Sequence, residues 1–222
     1  AIPVEAGLGS SAAVFVASAA AVSQLLGLNL SKDEIFRLAY DAERLVHGTP
    51  SGIDPAISTY GGILQYAREK GVTHLNIGAD LQFVIGNTRM ARSTGTLVAS
   101  VRELKEKYPS IVCPMLEAAE KMVCEAVKAL RSGDLKTLGN LMNIDQGLLS
   151  AVGVSNDALE RLVYAARKAG AYGAKLTGAG GGGCMIALTS QENIEDVVVA
   201  IKHADGLPFT CRKADEGVRI EG

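Results

Sequence analysis

The segment Gly7-Leu8-Gly9-Ser10-Ser11 runs without a break into an alanine-rich stretch, and no residue from Ala6 to Ser31 carries a charge. This join constrains the fold more than any other feature of the chain. A glycine turn that opens a helix aims several backbone N–H groups at one point, and the helix dipole adds partial positive charge there. Such a turn is an anion site, most often a phosphate site. It is not the common P-loop, because no G-K-[ST] follows the glycines. The plain alternative is a tight strand–helix turn with serine as N-cap. With two serines, one hydroxyl can cap the helix while the other serves phosphate or Mg²⁺.

The uncharged stretch is long enough to span a membrane. Its apolar content is mostly alanine, however, interrupted by glycine and serine, whereas a span carries more Leu, Ile and Phe. The expectation is a buried helix packed through its small residues, with no signal peptide. The 222 residues are 48% hydrophobic and 21% charged, with a net charge of −2. That profile suits a soluble enzyme of one or two domains and gives no reason to expect nucleic acid or an acidic membrane as partner. Cys113, Cys124, Cys184 and Cys211 form no C-x-x-C pair and stand at no metal-ligand spacing from a histidine. Reduced, intracellular thiols are expected rather than disulfides or zinc.

Periodicity and caps predict the remaining elements. A first helix runs from Ser10 to about Leu28. Ser31-Lys32-Asp33-Glu34 is a capping box for a second helix, whose apolar face carries Ile35, Leu38, Ala39, Ala42, Leu45 and Val46. A turn-rich stretch, 47–54, follows, then strand-like runs at 62–66, 73–77 and 81–87. Helices are predicted over 94–107, 114–132, 135–149 and 156–168, the last with Ser155 as N-cap and Gly170 as stop. Strands at 172–177 and 184–188 flank Gly178-Ala179-Gly180-Gly181-Gly182-Gly183. A helix at 192–203 and terminal strands at 208–213 and 217–220 complete the chain. Strands and helices in mixed order indicate an α+β fold.

Three further groups of residues carry chemical potential. Glu43 lies near a helix C-terminus, where the dipole disfavours a carboxylate. It either holds a cation such as Mg²⁺ or simply pairs with His47, and the residues alone favour the plainer reading. Asp54 ends the glycine turn Ser51-Gly52-Ile53-Asp54, where it either caps the turn or orients and deprotonates an attacking hydroxyl. The run from Lys175 to Cys184 is nearly free of side chains between β-prone flanks, which lets backbone approach a phosphate or substrate closely. Lys175 adds charge there or is only a strand-end cation. Arg89 and Arg92 stand between a strand and a helix, as anion contacts or as solvated loop residues.

Taken in order, these groups resemble the GHMP kinase family. Pro3–Ala13 is similar to the family's ATP loop, P-x-x-x-G-L-G-S-S-A-A. Glu43–Asp54 resembles E-R-x-x-H-G-x-P-S-G-x-D, the signature of members that phosphorylate mevalonate. Lys175–Cys184 resembles the third motif, K-L-T-G-A-G-G-G-G-C, and Arg92-x-Thr94 fits a further piece of the pattern. The resemblance implies a two-domain GHMP kinase fold. Residues 1–78 would be the remaining part of an S5-like, ATP-binding N-terminal domain, and 79–222 a ferredoxin-like C-terminal domain with extra helices.

The resemblance also implies roles. Pro3, Glu5, Ala6, Gly7, Leu8, Gly9, Ser10, Ser11, Ala12 and Ala13 would bind ATP. Ser11 and Glu43 would ligate Mg²⁺, which reverses the plainer reading of Glu43. Asp54 would act on the C5 hydroxyl of (R)-mevalonate, giving 5-phosphomevalonate for isoprenoid synthesis. Thr94, Gly178, Ala179, Gly180 and Gly181 would face substrate or phosphate. The expected partners are ATP and mevalonate, with a homodimer as a further expectation, in the cytoplasm. The alternatives are a kinase of phosphomevalonate, homoserine or a sugar, or a nucleotide-binding fragment without activity. Family members also carry a preceding segment like P-G-K-x-x-L-x-G-E-H, with a lysine near the transferred phosphate. Nothing here matches it, so the chain is expected to lack that N-terminal portion.

Overall fold

A computed structural model describes residues 8–47, 50–91 and 94–221, with His47 described by its backbone alone. The chain forms two compact units, one of Leu8–Asn76 with Lys213–Gly222 and one centred on Ile77–Arg212.

The first unit contains helices α1 (Ser10–Leu25), α2 (Lys32–His47) and α3 (Ile53–Tyr60), and an antiparallel hairpin of β1 (Leu64–Ala67) and β2 (Gly71–His74). The capping box forms as the sequence dictates. Ser31 N–H and Oγ–H both donate to Glu34 Oε2, at 2.8 and 2.7 Å, and Glu34 N–H donates back to Ser31 Oγ. Val16 of α1 packs against Ile35 and Ala39 of α2, with Phe15, Ala19, Ala20, Leu30 and Val218 around them. The expected burial of α1 is only partly met. Ala12, Val16 and Ser23 are buried, whereas Val14, Val22 and Leu25 are exposed. The reason is geometric: α1 packs against α2 and α3, and a helix apolar all round needs cover on every side.

Two differences from the sequence reading concern this unit. The stretch read as turn continues into α3, because Gly52 in the left-handed region (φ 89°) serves as N-cap and Pro55 falls within the first turn, where proline is tolerated. Residues 217–220 are no strand. They belong to a C-terminal tail tied down by Gly62 N–H donating to Ala214 O and Val218 N–H donating to Thr59 O.

The second unit is a four-stranded antiparallel sheet, order β4-β5-β3-β6, with β3 (Gln82–Asn87), β4 (Gly173–Leu176), β5 (Cys184–Thr189) and β6 (Leu207–Arg212). Helices α4 (Thr94–Lys107), α5 (Pro109–Ser132), α6 (Leu135–Ala151) and α7 (Asp157–Lys168) lie between β3 and β4, and α8 (Ile194–His203) between β5 and β6. Counting α7 and α8 as its two helices, this is a β-α-β-β-α-β, ferredoxin-like order with α4–α6 added. Val84, Met185 and Ala187 from the sheet meet Leu159, Leu162, Val163, Val197 and Ile201 from α7 and α8 in one core. The α+β expectation holds. Helix α5 starts at Pro109, five residues earlier than expected, with Tyr108 as N-cap; Pro114 is carried inside the helix. Asn156, not Ser155, caps α7 and accepts from Leu159 N–H at 2.9 Å. Among the described residues no helix is long and apolar enough to cross a membrane.

Helix α6 carries two glycines in contrasting surroundings. A Cβ on Gly139 would run into the backbone of Tyr172, while one on Gly147 would meet nothing within 4 Å. Gly147→Ala is therefore expected to stabilise the fold by about 0.5–1 kcal/mol, and Gly139→Ala to destabilise it by about 1–3 kcal/mol through overpacking; chemical denaturation measures both. In the first unit, Tyr60 packs against Phe36 and His74 and donates to Asp33 Oδ1 at 2.6 Å. Burial, then the bond to Asp33, pushes its pKa up to about 12. The raised value favours the protonated phenol in the folded state, so its contribution to stability is complete below about pH 10 and lost as pH rises toward 12. Ultraviolet titration of the folded protein should show Tyr60 ionising late, and Asp33→Asn should bring that transition to lower pH.

Candidate active site

Gly9 is the N-cap of α1, with φ 70° and ψ 25°, and no side chain caps the helix in its place. Thus neither serine takes the N-cap position considered from the sequence. The first helical bond runs from Ala13 N–H to Gly9 O at 3.0 Å. Ser10, Ser11 and Ala12 form the first turn, whose amides point out of the helix end. That turn contains no acidic residue, as suits an end that receives an anion.

Asp54 stands at the second position of α3 and is solvent-exposed. It lies directly beside the α1 turn. A Cβ built on Gly9 would sit 3.3 Å from both Asp54 Cβ and Cγ, and 3.4 Å from Oδ1. Any side chain at position 9 would therefore meet a strained φ and crowd this carboxylate. The turn that precedes Asp54 is fixed by its neighbours. Ile53 N–H donates to Ser51 Oγ at 3.3 Å, and Arg68 Nη2, from beyond β1, donates to Pro50 O at 2.7 Å. A Cβ on Gly52 would collide with the Tyr66 hydroxyl. The hairpin thus presses on the turn that carries Asp54.

Glu43, on the last turn-and-a-half of α2, is 6% exposed. A carboxylate that buried needs hydrogen-bond donors or a cation, so simple exposure is ruled out for it. Among the described residues no three His, Cys, Asp or Glu side chains cluster as a metal site. Pro3, Glu5, Ala6 and Gly7 of the ATP loop lie outside the described residues, as do Gly48, Thr49 and Arg92. Leu8 precedes the Gly9 cap in a bend.

The second unit holds Thr94, exposed at the first position of α4, and the β4–β5 loop with Gly178, Ala179, Gly180 and Gly181. Here the structure revises the reason for the glycines. A Cβ on Gly180 would collide with Val154 O; on Gly181 it would lie 2.6 Å from Leu97 Cδ1, and on Gly182 2.9 Å from Met90 O. All three have positive φ. Positive φ at all three, with backbone walls at 180 and 182, therefore favours glycine there whether or not a ligand approaches. The loop is also bonded in place: Gly181 N–H donates to Val154 O at 2.7 Å, Gly183 N–H to Met90 O at 3.0 Å, and Thr88 N–H to Gly183 O at 2.8 Å. Lys175 is paired with Asp145 Oδ2 at 3.0 Å. Arg89 reaches Asp205 O with Nη2 at 3.1 Å, which favours its structural reading.

A cavity of about 410 Å³ opens in the first unit, lined by Asp33, Phe36, Arg37, Tyr60, Tyr66, Arg68 and His74 among others. None of the described motif residues lines it. The close approach of Asp54 to position 9, not concavity, marks the candidate site.

Known proteins resemble the chain along most of its length. The family models "GHMP kinases N terminal domain" and "GHMP kinases C terminal" match residues 1–62 and 126–205. The chain is 52% identical over 225 aligned residues to the mevalonate kinase of Pyrococcus horikoshii, covering 99% of this chain and 66% of that protein. It is 48% identical to the mevalonate kinase of Thermococcus sibiricus, covering 99% and 67%. The chain thus spans about two thirds of the length of these curated relatives. The crystal structure of L. major mevalonate kinase in complex with R-mevalonate superposes with a TM-score of 0.85 at 35% identity, over 92% of this chain and 64% of that one. With both family models matched in chain order and about half of all residues identical to such relatives, the chain belongs to the GHMP kinase family.

Proposed function

We propose that the protein transfers the γ-phosphoryl group of ATP to the C5 hydroxyl of (R)-mevalonate, giving 5-phosphomevalonate and ADP, as a cytoplasmic enzyme of isoprenoid synthesis. The observation that carries this reading is the contact between Gly9 and Asp54. It sets a helix end suited to phosphate beside a carboxylate suited to an alcohol. The mevalonate kinases among its relatives supply the choice of alcohol.

Each residue then has a role. The backbone amides of residues 7–13 hold the phosphates of ATP, and the α1 dipole stabilises the charge that develops on the transferring group. Asp54 orients the C5 hydroxyl and accepts its proton as the oxygen attacks the γ-phosphorus and ADP leaves. Ser11 and Glu43 offer hard oxygen donors, a hydroxyl and a buried carboxylate, which suit Mg²⁺. The metal, when bound by them, neutralises phosphate charge. Thr94 and the loop of Gly178, Ala179, Gly180 and Gly181 contribute further backbone and hydroxyl contacts to the anionic substrates. Catalysis is mostly positioning and charge stabilisation, as in phosphoryl transfer generally.

Four measurements bear on this reading. Asp54→Asn is expected to lower kcat by roughly 100-fold or more while Mg-ATP affinity, read by calorimetry, stays within a few-fold; near-normal turnover would remove Asp54 from the mechanism. Gly9→Ala should lower kcat and raise KM for ATP together, since it perturbs both the amide turn and the carboxylate. Glu43→Gln should shift the Mg²⁺ dependence of ADP release to higher metal concentration. A coupled ADP assay over mevalonate, phosphomevalonate, homoserine and galactose tests the acceptor; a higher kcat/KM with any of the last three would overturn the assignment.

A further inference from the structure

We infer that Gln146 is a positioning residue for the glycine loop 177–183, joining from α6 the two backbone segments that hold the loop in place. The importance of that loop for turnover rests on the proposed function; the positioning itself rests on geometry.

The loop leaves β4, and β4 is an edge strand, first in the order β4-β5-β3-β6. An edge strand presents a row of unpaired backbone groups. Here α6 and α7 take the place of the absent neighbour strand. Asn143 Oδ1 accepts from Ala174 N–H at 3.1 Å, and its Nδ2 donates to Tyr172 O at 3.3 Å. Arg167 Nη2 donates to Ala174 O at 2.6 Å. Gln146 Oε1 accepts from Leu176 N–H at 2.8 Å. Helix α6 comes this close because Gly139 and Gly173 face each other without side chains: a Cβ on Gly173 would strike the Gly139 backbone.

Gln146 differs from the other edge partners in facing two ways. It is 2% exposed. Its Nε2 donates to Ser155 Oγ at 3.1 Å and to Glu160 Oε1 at 2.9 Å. Ser155 follows Val154, whose carbonyl accepts from Gly181 N–H at 2.7 Å. One amide side chain therefore fixes Leu176, at the entrance to the loop, and the α6–α7 connection that clasps the middle of the loop. A buried amide with all of its partners in place is a rigid spacer between them. Its removal leaves the Leu176 amide without its side-chain partner, cuts the link to Ser155 and lets both supports move.

The test is amide hydrogen exchange on the folded protein, with Gln146→Met to remove the three bonds at similar volume. Exchange at Leu176 and Gly181 is expected to rise about tenfold or more, as local opening becomes easier, while Val84 and Ala187 in the sheet keep wild-type rates. In the same variant KM for ATP or for the alcohol should rise about tenfold with a smaller change in kcat. Wild-type exchange at Leu176 and Gly181 in folded Gln146→Met overturns the inference. Faster exchange with unchanged kinetic constants upholds the positioning role and removes the loop from the proposed function. If Val84 and Ala187 also lose protection, Ser155→Ala carries the test. It should speed exchange at Gly181 and leave Leu176 unchanged; the wild-type rate at Gly181 in that variant overturns the inference.

Discussion

Two backbone turns meet at Gly9. The α1 turn has its left-handed N-cap there, and the α3 turn places Asp54 so that a Cβ at position 9 would lie 3.3–3.4 Å from its side chain. Much of the first unit serves this approach. The capping box fixes where α2 begins, Val16, Ile35 and Ala39 lock α1 onto α2, and the hairpin holds Pro50 and Gly52 so that α3 starts where it must. In the proposed function a helix end and a proton acceptor act together over a few ångströms, and the missing side chain at position 9 is what lets the two approach.

The second unit solves a different problem. A four-stranded sheet with a glycine-rich loop at its edge strand is open to fraying on that side. Packing α6 against that edge, with amide side chains in place of strand backbone, closes the ladder without adding a strand. It also leaves the loop free to project while both ends stay pinned. The apolar core beneath, from Val84 and Met185 to Ile201, holds the sheet and includes Val154, Ala174 and Leu176, whose backbone groups these polar links bind.

Local signals in the sequence were enough for most elements. The Ser31–Glu34 box, the amphipathic period of α7 and the short apolar run of β3 are each local features. The glycine turn at Gly9 and the turn before Asp54 stood out as local motifs for the same reason. What escaped reading depends on contacts between distant segments. Helix α3 hid behind Gly52 and Pro55, which signal a turn until the hairpin is seen to demand glycine at the cap. The proximity of Gly9 to Asp54 and the edge contacts of Asn143 and Gln146 join segments far apart in the chain, and no local pattern announces them. Two amides three residues apart on α6, Asn143 and Gln146, were the one available hint.

The glycine loop has a consequence for how variation in this family should be interpreted. At positions 180, 181 and 182 the left-handed backbone and the walls formed by Val154, Leu97 and Met90 already exclude larger residues. Sequence drift is suppressed there by steric fit alone, so invariance among relatives carries no information about ligand contact at these sites. The informative comparison lies in the surroundings. Where a relative has a smaller residue at the position of Leu97, the wall beside Gly181 recedes and only the positive φ of 73° still favours glycine there, so the two constraints separate.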